Sequence, residues 1–156
     1  MRTRSKVGAA CCGLLALLAA CGGGSDRLSA SAYARAASAV CVRGNRAVAR
    51  VPLPSLTAPT DASRAVARIV VIQRGTVDEL RALQPPERLA DTVQKWIALL
   101  DQGADELELM GGRLRAGRES EAADYGAKAT TLLDRARDLV APWRVTSCRG
   151  PELPTV

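Results

Sequence analysis

Cysteine is the residue type in this chain with the widest chemistry, because a thiol can be acylated, oxidise to a disulfide or bind a metal. Cys11, Cys12 and Cys21 lie near the start, and Cys41 and Cys148 lie in the long remainder. The chain contains no histidine, which is the commonest general base near neutral pH and the commonest metal ligand. We therefore predict no hydrolytic triad, no metal site and no cofactor, and we expect the protein not to be an enzyme.

The start of the chain has the pattern of an export signal. Three basic residues precede position 7, and residues 7–20 form an uncharged, mostly apolar run. This run is shorter than the roughly 20 residues of a transmembrane helix, and a charged start followed by a short apolar run is typical of a signal peptide. We therefore predict that residues 1–20 are a leader. An uncleaved membrane anchor is the alternative.

The end of this leader carries a more specific pattern. The sequence Leu18-Ala19-Ala20-Cys21 resembles the lipobox of bacterial lipoproteins, in which the thiol receives a diacylglycerol and a signal peptidase cleaves before the cysteine. The resemblance implies a lipid anchor on Cys21, and two or more acyl chains give stable attachment. The glycines that follow predict a flexible tether over residues 21–28. A secretory signal with an incidental cysteine is the alternative.

Cleavage and lipidation would leave Cys41 and Cys148 as the remaining thiols. An even pair of cysteines in an oxidising compartment usually forms a disulfide, and this one would close a loop of about 107 residues. Cys41 lies on the flank of an apolar helical stripe, where a tail folding back after Pro142 would reach it. Two free thiols, or a metal or redox pair, are the alternatives.

The rest of the chain is built from helical patterns. Four segments have the 3.6-residue periodicity of amphipathic helices, namely residues 29–51, 60–83, 86–116 and 119–140. Prolines mark the breaks between the first three segments and the end of the fourth. Only 3% of the residues are aromatic, and cores of small aliphatic side chains suit closely packed helices. We predict one all-α domain over residues 29–156, an up-down-up-down four-helix bundle.

The first helical segment has a basic face. Arg35, Arg43, Arg46 and Arg50 fall within an arc of about 80° opposite its apolar stripe, and no acidic residue occurs between Arg27 and Thr60. One interpretation is contact with anionic headgroups or wall polymers, in which each charge near the surface adds about 1 kcal/mol. The other is a solvated face whose arginines pair with carboxylates of a neighbouring helix.

The third segment has a short acidic series. Asp101, Asp105 and Glu108 recur on one side of the helix, away from the predicted core. Three carboxylates are one way to hold a divalent cation, but calcium sites usually supply six or more oxygens from a folded loop. We predict a solvated face rather than a metal site.

The second segment contains four consecutive branched apolar residues, from Ile69 to Ile72. Consecutive residues step by about 100° around a helix, so these four circle most of it. Because Ile69 and Ile72 share the inward stripe, we predict that at least one of Val70 and Val71 is exposed, and that these two valines form a contact with a partner or a second copy. Isolated apolar residues are also normal on protein surfaces, which is the alternative.

The sequence from Leu80 to Leu89, with Trp96 and the residues 99–101, looks like small lipoproteins predicted from high-GC actinobacterial genomes. Those proteins similarly have a tyrosine and a cysteine in the first helix, a Leu-x-Pro-Pro link between the middle helices and a final cysteine after the last helix. The matching residues here include Tyr33, Cys41 and Cys148. The resemblance implies a helical fold and an envelope location, and it implies no activity.

These patterns together predict a membrane-anchored, extracytoplasmic lipoprotein that acts as a non-enzymatic binding or scaffolding module of the cell envelope. Its partners would be the membrane, through the lipid anchor, and an envelope protein or polymer. The net charge of +6 includes three basic leader residues, so the exported part is only mildly basic and nucleic acid is a poor candidate. The alternative is a carrier whose bundle opens around a small apolar ligand, in a cavity lined by Trp96, Leu107, Met110 and Tyr125.

Overall fold

The computed structural model describes residues 27–52, 58–143, 145 and 148. The predicted leader, the predicted lipidation site Cys21 and most of the predicted tether lie outside the described residues. No helix in the part that is described is long and apolar enough to cross a membrane.

Four α-helices form the described domain, which confirms the predicted fold class. They are α1 Ala30–Val48, α2 Pro59–Ala82, α3 Ala90–Arg115 and α4 Glu119–Val140. Short 3-10 turns occupy Glu87–Leu89 and Ala141–Trp143.

Residues at the helix ends explain where the helices start and stop. The Ser29 hydroxyl accepts a hydrogen bond from the Ala32 N–H and so caps α1, which satisfies one of the free N–H groups of the first turn. Pro59 opens α2, at the position where a missing N–H is harmless. Gly117 follows α3 with a φ of 69°, the left-handed conformation that glycine adopts at helix ends without steric strain.

Two boundaries differ from the sequence prediction. α1 ends at Val48 rather than near residue 51, and the Arg50 N–H donates to the Ala47 carbonyl in the turn that follows. The proline two residues later disfavours helix for the residue before it, which shortens α1. α3 begins at Ala90 after a 3-10 turn rather than directly at residue 86.

Neighbouring helices run antiparallel, as predicted for an up-down-up-down bundle. The Leu28 N–H, just before α1, donates to the Gln84 carbonyl, just after α2, at 3.0 Å. Near the start of α2, the Ser63 hydroxyl donates to the Gly111 carbonyl late in α3 at 2.8 Å. α4 packs back along α3. Each helix therefore lies against the one that precedes it.

The core divides into two clusters, one toward each end of the bundle. We call them the Trp96 cluster and the Val66 cluster. The buried residues of the Trp96 cluster come from all four helices and from the chain after α4: Tyr33, Ala37, Val40, Cys41, Val77, Leu80, Val93, Trp96, Leu100, Leu133, Ala136, Val140, Val145 and Cys148. The buried residues of the Val66 cluster are smaller on average: Val48, Ala62, Val66, Ile69, Val70, Leu107, Leu114, Ala122 and Ala129.

Candidate binding surfaces

The arginines of the first helical segment lie on the outer surface of the domain. Arg35, Arg43 and Arg46 are exposed on α1, and Arg50 is exposed in the turn after it. Glu79 of α2 forms an ion pair with Arg43. In the part of the chain that the structure describes, no carboxylate forms an ion pair with the other three arginines. The predicted pairing with a neighbouring helix therefore holds for Arg43, and the rest of this basic face is open to solvent.

The helical repeat of α1 places this face opposite the core. Tyr33, Ala37 and Val40 of the same helix are buried, and the spacing of these residues puts them on the opposite side from Arg35 and Arg46. At a rise of about 1.5 Å per residue, these two arginines are separated by about 16 Å along the helix axis. The basic face is thus an extended stripe along one helix.

Cys41 and Cys148 form the predicted disulfide, with their Cα atoms 4.9 Å apart. Both cysteines are buried in the Trp96 cluster. The chain after α4 therefore folds back onto α1, as predicted, and Val145 is buried with it. The bond ties this end of the bundle across 107 residues of sequence.

The Trp96 cluster also holds two buried polar atoms. The Tyr33 hydroxyl and the Trp96 indole N–H have no hydrogen-bond partner among the described residues. Burial in apolar surroundings raises the pKa of Tyr33 to about 12, because the charged phenolate is poorly solvated there. The phenol is therefore neutral at physiological pH and acts as a large packing group.

The carboxylates of the acidic series on α3 form ion pairs with arginines of α2. Arg74 contacts Asp105 at 2.9 Å and Glu108 at 2.6 Å, and Arg81 contacts Asp101 at 2.6 Å. The hydrogen bond that Arg74 donates to Glu108 is the main cause that raises the pKa of this arginine.

These carboxylates consequently serve as ion-pair partners between helices. Among the described residues, no group of three or more Cys, Asp or Glu side chains has the geometry of a metal site.

The two valines predicted as a contact differ in exposure. Val70 is buried in the Val66 cluster, so the prediction that it contributes to a contact surface is wrong: its position on α2 turns it toward α3. Val71 has 71% of its surface exposed, and Leu109 of α3 has 46% exposed. These are the exposed large apolar residues of the described chain, and the sequence pattern singles out only Val71.

An open groove of about 380 Å³ runs between α3 and α4. It is lined by Glu106, Ala127, Lys128, Thr131 and Leu132. The Lys128 ammonium also lies 4.7 Å from the centre of the Tyr125 ring, within range of a cation–π interaction. The groove is shallow and open, and its lining includes none of the residues predicted for an apolar cavity.

Those predicted cavity residues are not brought together. Trp96 and Leu107 belong to different core clusters. Met110 packs against the Val66 cluster and lies against Gly126. Tyr125 is half-buried at the surface beneath two cations. These four residues therefore do not line one shared cavity, and the carrier alternative stays a prediction without this support.

Comparison with known proteins adds no family assignment. No family model, curated protein or solved structure matches this chain. The resemblance to small actinobacterial lipoproteins accordingly stays a prediction, and function must be argued from the surfaces themselves.

Some surface residues that matter were missed in the sequence, although a signal for them was present. Leu109 directly precedes Met110 and lies off the apolar stripe of α3, which a helical projection places outside the core. Arg74 and Arg81 are seven residues apart on α2, so they lie on one side of that helix. This spacing matches that of Asp101 and Glu108 on α3.

Proposed function

We propose that this protein is a lipid-anchored, non-enzymatic binding module of the bacterial envelope, whose helical domain rests on anionic membrane lipids through the basic face of α1. The observation that carries the proposal is that Arg35, Arg46 and Arg50 are exposed and lack ion-pair partners among the described residues. The anchor on Cys21 is the part of the proposal that rests on the lipobox resemblance.

The charge distribution supports a membrane surface as the partner. No acidic residue occurs from Arg27 to Thr60, so repulsion between α1 and an anionic surface is small. Each arginine near such a surface contributes about 1 kcal/mol, and the three unpaired arginines together contribute about 3 kcal/mol. This attraction is too weak to hold a protein on a membrane by itself. A lipid anchor would keep the domain close enough to the membrane for the arginines to contact the headgroups.

The position of the tether supports the same orientation. The predicted tether joins the domain directly before α1, so the helix nearest the anchor is also the one with the open basic face. Contact along the stripe would lay α1 parallel to the membrane and leave α3 and α4 facing away from it.

The proposal is tested with the processed full-length protein reconstituted in vesicles of phosphatidylcholine, with and without phosphatidylglycerol. A nitroxide is attached at Ala39→Cys, an exposed position on the basic side of α1, or at Ala123→Cys on the exposed side of α4. We expect the label on α1 to approach the headgroups in the anionic vesicles and to move away at high salt, because salt screens exposed charges. The label on α4 should stay distant in both.

A matched pair of triple variants distinguishes binding through the basic face of α1 from a general effect of net charge. Replacing Arg35, Arg46 and Arg50 with Gln should abolish the approach of the label. Replacing three other exposed arginines that form no described ion pair, with the same loss of charge, should leave it intact: Arg88, Arg115 and Arg135. If the label approaches the headgroups equally in the two triple variants, or approaches them in neutral vesicles, the proposed membrane orientation is wrong. If the protein binds an isolated acidic wall polymer and not the anionic vesicles, that polymer is the partner instead.

The anchor has its own test. Metabolic labelling with a radioactive fatty acid should label the wild-type protein, and Cys21→Ala should lose the label because the acylated thiol is gone. Label retained by the variant would contradict lipidation at this cysteine without bearing on the basic face.

A further inference from the structure

The two large apolar side chains exposed on the described domain lie on one face. Val71 and Arg74 are three residues apart on α2, and Asp105 and Leu109 are four apart on α3, so each pair shares a side of its helix. Arg74 contacts Asp105 at 2.9 Å. The ion pair therefore bridges the two helices, with Val71 and Leu109 on either side of it.

Small residues surround these two side chains and make the face flat. On α2, Ala67 and Gly75 are exposed four residues before and after Val71. On α3, Gly112 is exposed three residues after Leu109, and a Cβ added at either glycine would meet nothing within 4 Å. We call this surface, centred on Val71 and Leu109, the α2/α3 face.

The α2 side of the α2/α3 face is mainly basic, and the α3 side is mainly acidic. The α2 side carries four arginines, Arg64, Arg68, Arg74 and Arg81, against one exposed carboxylate, Asp78, which pairs with Arg81. The α3 side carries three carboxylates, Asp101, Asp105 and Glu108, against Arg115 near the end of that helix. This charge distribution is self-complementary. A two-fold axis parallel to the helices places the basic side of one copy opposite the acidic side of a second copy, and the reverse.

We infer that a second copy of this chain docks on the α2/α3 face, with α2 of each copy opposite α3 of the other. In this arrangement Val71 of one copy packs against Leu109 of the second copy, and the same contact occurs twice. Arg74, already bound to Asp105 and Glu108, then lies between carboxylates of both copies, which fixes the orientation.

The size of the face suits a dimer of modest affinity. Two helices, each about 10 Å wide and overlapping along about 30 Å, offer about 600 Å² per copy. The total of about 1,200 Å² is at the lower limit for specific, stable interfaces. The face does not include α1, so the dimer does not depend on the proposed membrane contact.

Crosslinking between two differently tagged full-length copies tests the arrangement. One copy carries Val71→Cys and the other carries Leu109→Cys, and intact cells producing both are treated with copper phenanthroline. We expect a disulfide-linked dimer that contains both tags. A copy with Ala123→Cys, equally exposed but on α4, should give no dimer with the Leu109→Cys copy.

The pattern of products decides the outcome. Absence of the mixed dimer, with both variants present at the wild-type level, would overturn the inference. A dimer formed by the Val71→Cys copy alone would overturn the two-fold arrangement, since that axis places the two Val71 positions diagonally across the interface and apart.

A second measurement uses the purified full-length protein in detergent. Sedimentation should show that Val71→Lys loses the dimer, because it places a charge in the centre of the interface, while Ala123→Lys keeps it. An unchanged dimer in the Val71→Lys variant would also count against this face.

Discussion

The two ends of the bundle are built in different ways. In the Trp96 cluster, four helices and the returning chain surround large side chains, and Trp96, Tyr33 and Leu80 are fully buried there. In the Val66 cluster, α2, α3 and α4 come together mainly through alanine and valine, and α1 supplies Val48 at its last residue. α1 has 19 residues against 24 in α2, so it does not accompany the full length of the others.

This difference shows that the size of the core side chains depends on how many helices pack around them. Where four helices and a tail meet, large rings fill the space between them. Where three helices dominate, small residues allow close approach: an added Cβ at Gly111 would lie 3.3 Å from a methyl carbon of Val66. The Ser63 hydroxyl donates to the Gly111 carbonyl at the same place. The end with the Trp96 cluster thus depends on large buried side chains and on the disulfide. The end with the Val66 cluster depends on the close approach of its helices.

The disulfide provides the largest expected effect. Replacing Cys41 and Cys148 together with Ala should lower the free energy of unfolding by about 5 kcal/mol, since opening a loop of about 100 residues restores much chain entropy to the unfolded state. Denaturant titration of the wild-type protein, with and without reductant, should give the same difference. The double variant should be insensitive to reductant; a wild-type protein that is equally insensitive would show that the bond is not formed in solution.

A pair of cavity-forming substitutions compares the two ends directly. Trp96→Ala should cost about 3 to 5 kcal/mol because it empties a fully buried site. Val66→Ala should cost about 1 to 2 kcal/mol, the transfer free energy of the smaller group removed. Denaturant midpoints measured on both variants provide the comparison, and equal losses would contradict the difference in construction proposed for the two clusters.

The smallest effect at neutral pH concerns the Tyr33 hydroxyl. Tyr33→Phe should leave stability near pH 7 unchanged or slightly higher, because the hydroxyl has no hydrogen-bond partner among the described residues and its desolvation is unfavourable. The pKa of Tyr33 rises from 10.0 in its ordinary state to about 12 in the fold. Between these pH values the unfolded chain releases a proton that the folded chain keeps, so stability should fall as the pH rises.

Tyr33→Phe should remove this alkaline loss, whereas Tyr125→Phe, at a half-exposed tyrosine, should keep it. Thermal melting from pH 9 to pH 12 measures both. An alkaline loss of the same size in Tyr33→Phe would assign it to other groups.

The sequence by itself determined the helices, their antiparallel order and the cysteine pair. Periodicity of apolar residues and the positions of proline are local signals, and they place α2 and α4 within one residue of their predicted limits. The cysteine pair followed from the number of thiols left after the predicted leader rather than from any local pattern.

The tertiary structure alone decided which surfaces are open. Val70 and Val71 have the same side chain and adjacent positions, yet Val70 is buried and Val71 is exposed, because α3 packs on one side of α2. Arg43 and Arg46 differ in the same way, since Glu79 lies within reach of only the first. Whether a side chain is buried or ion-paired depends on which residues of the neighbouring helix lie beside it. The periodicity of one helix carries no information about those neighbours.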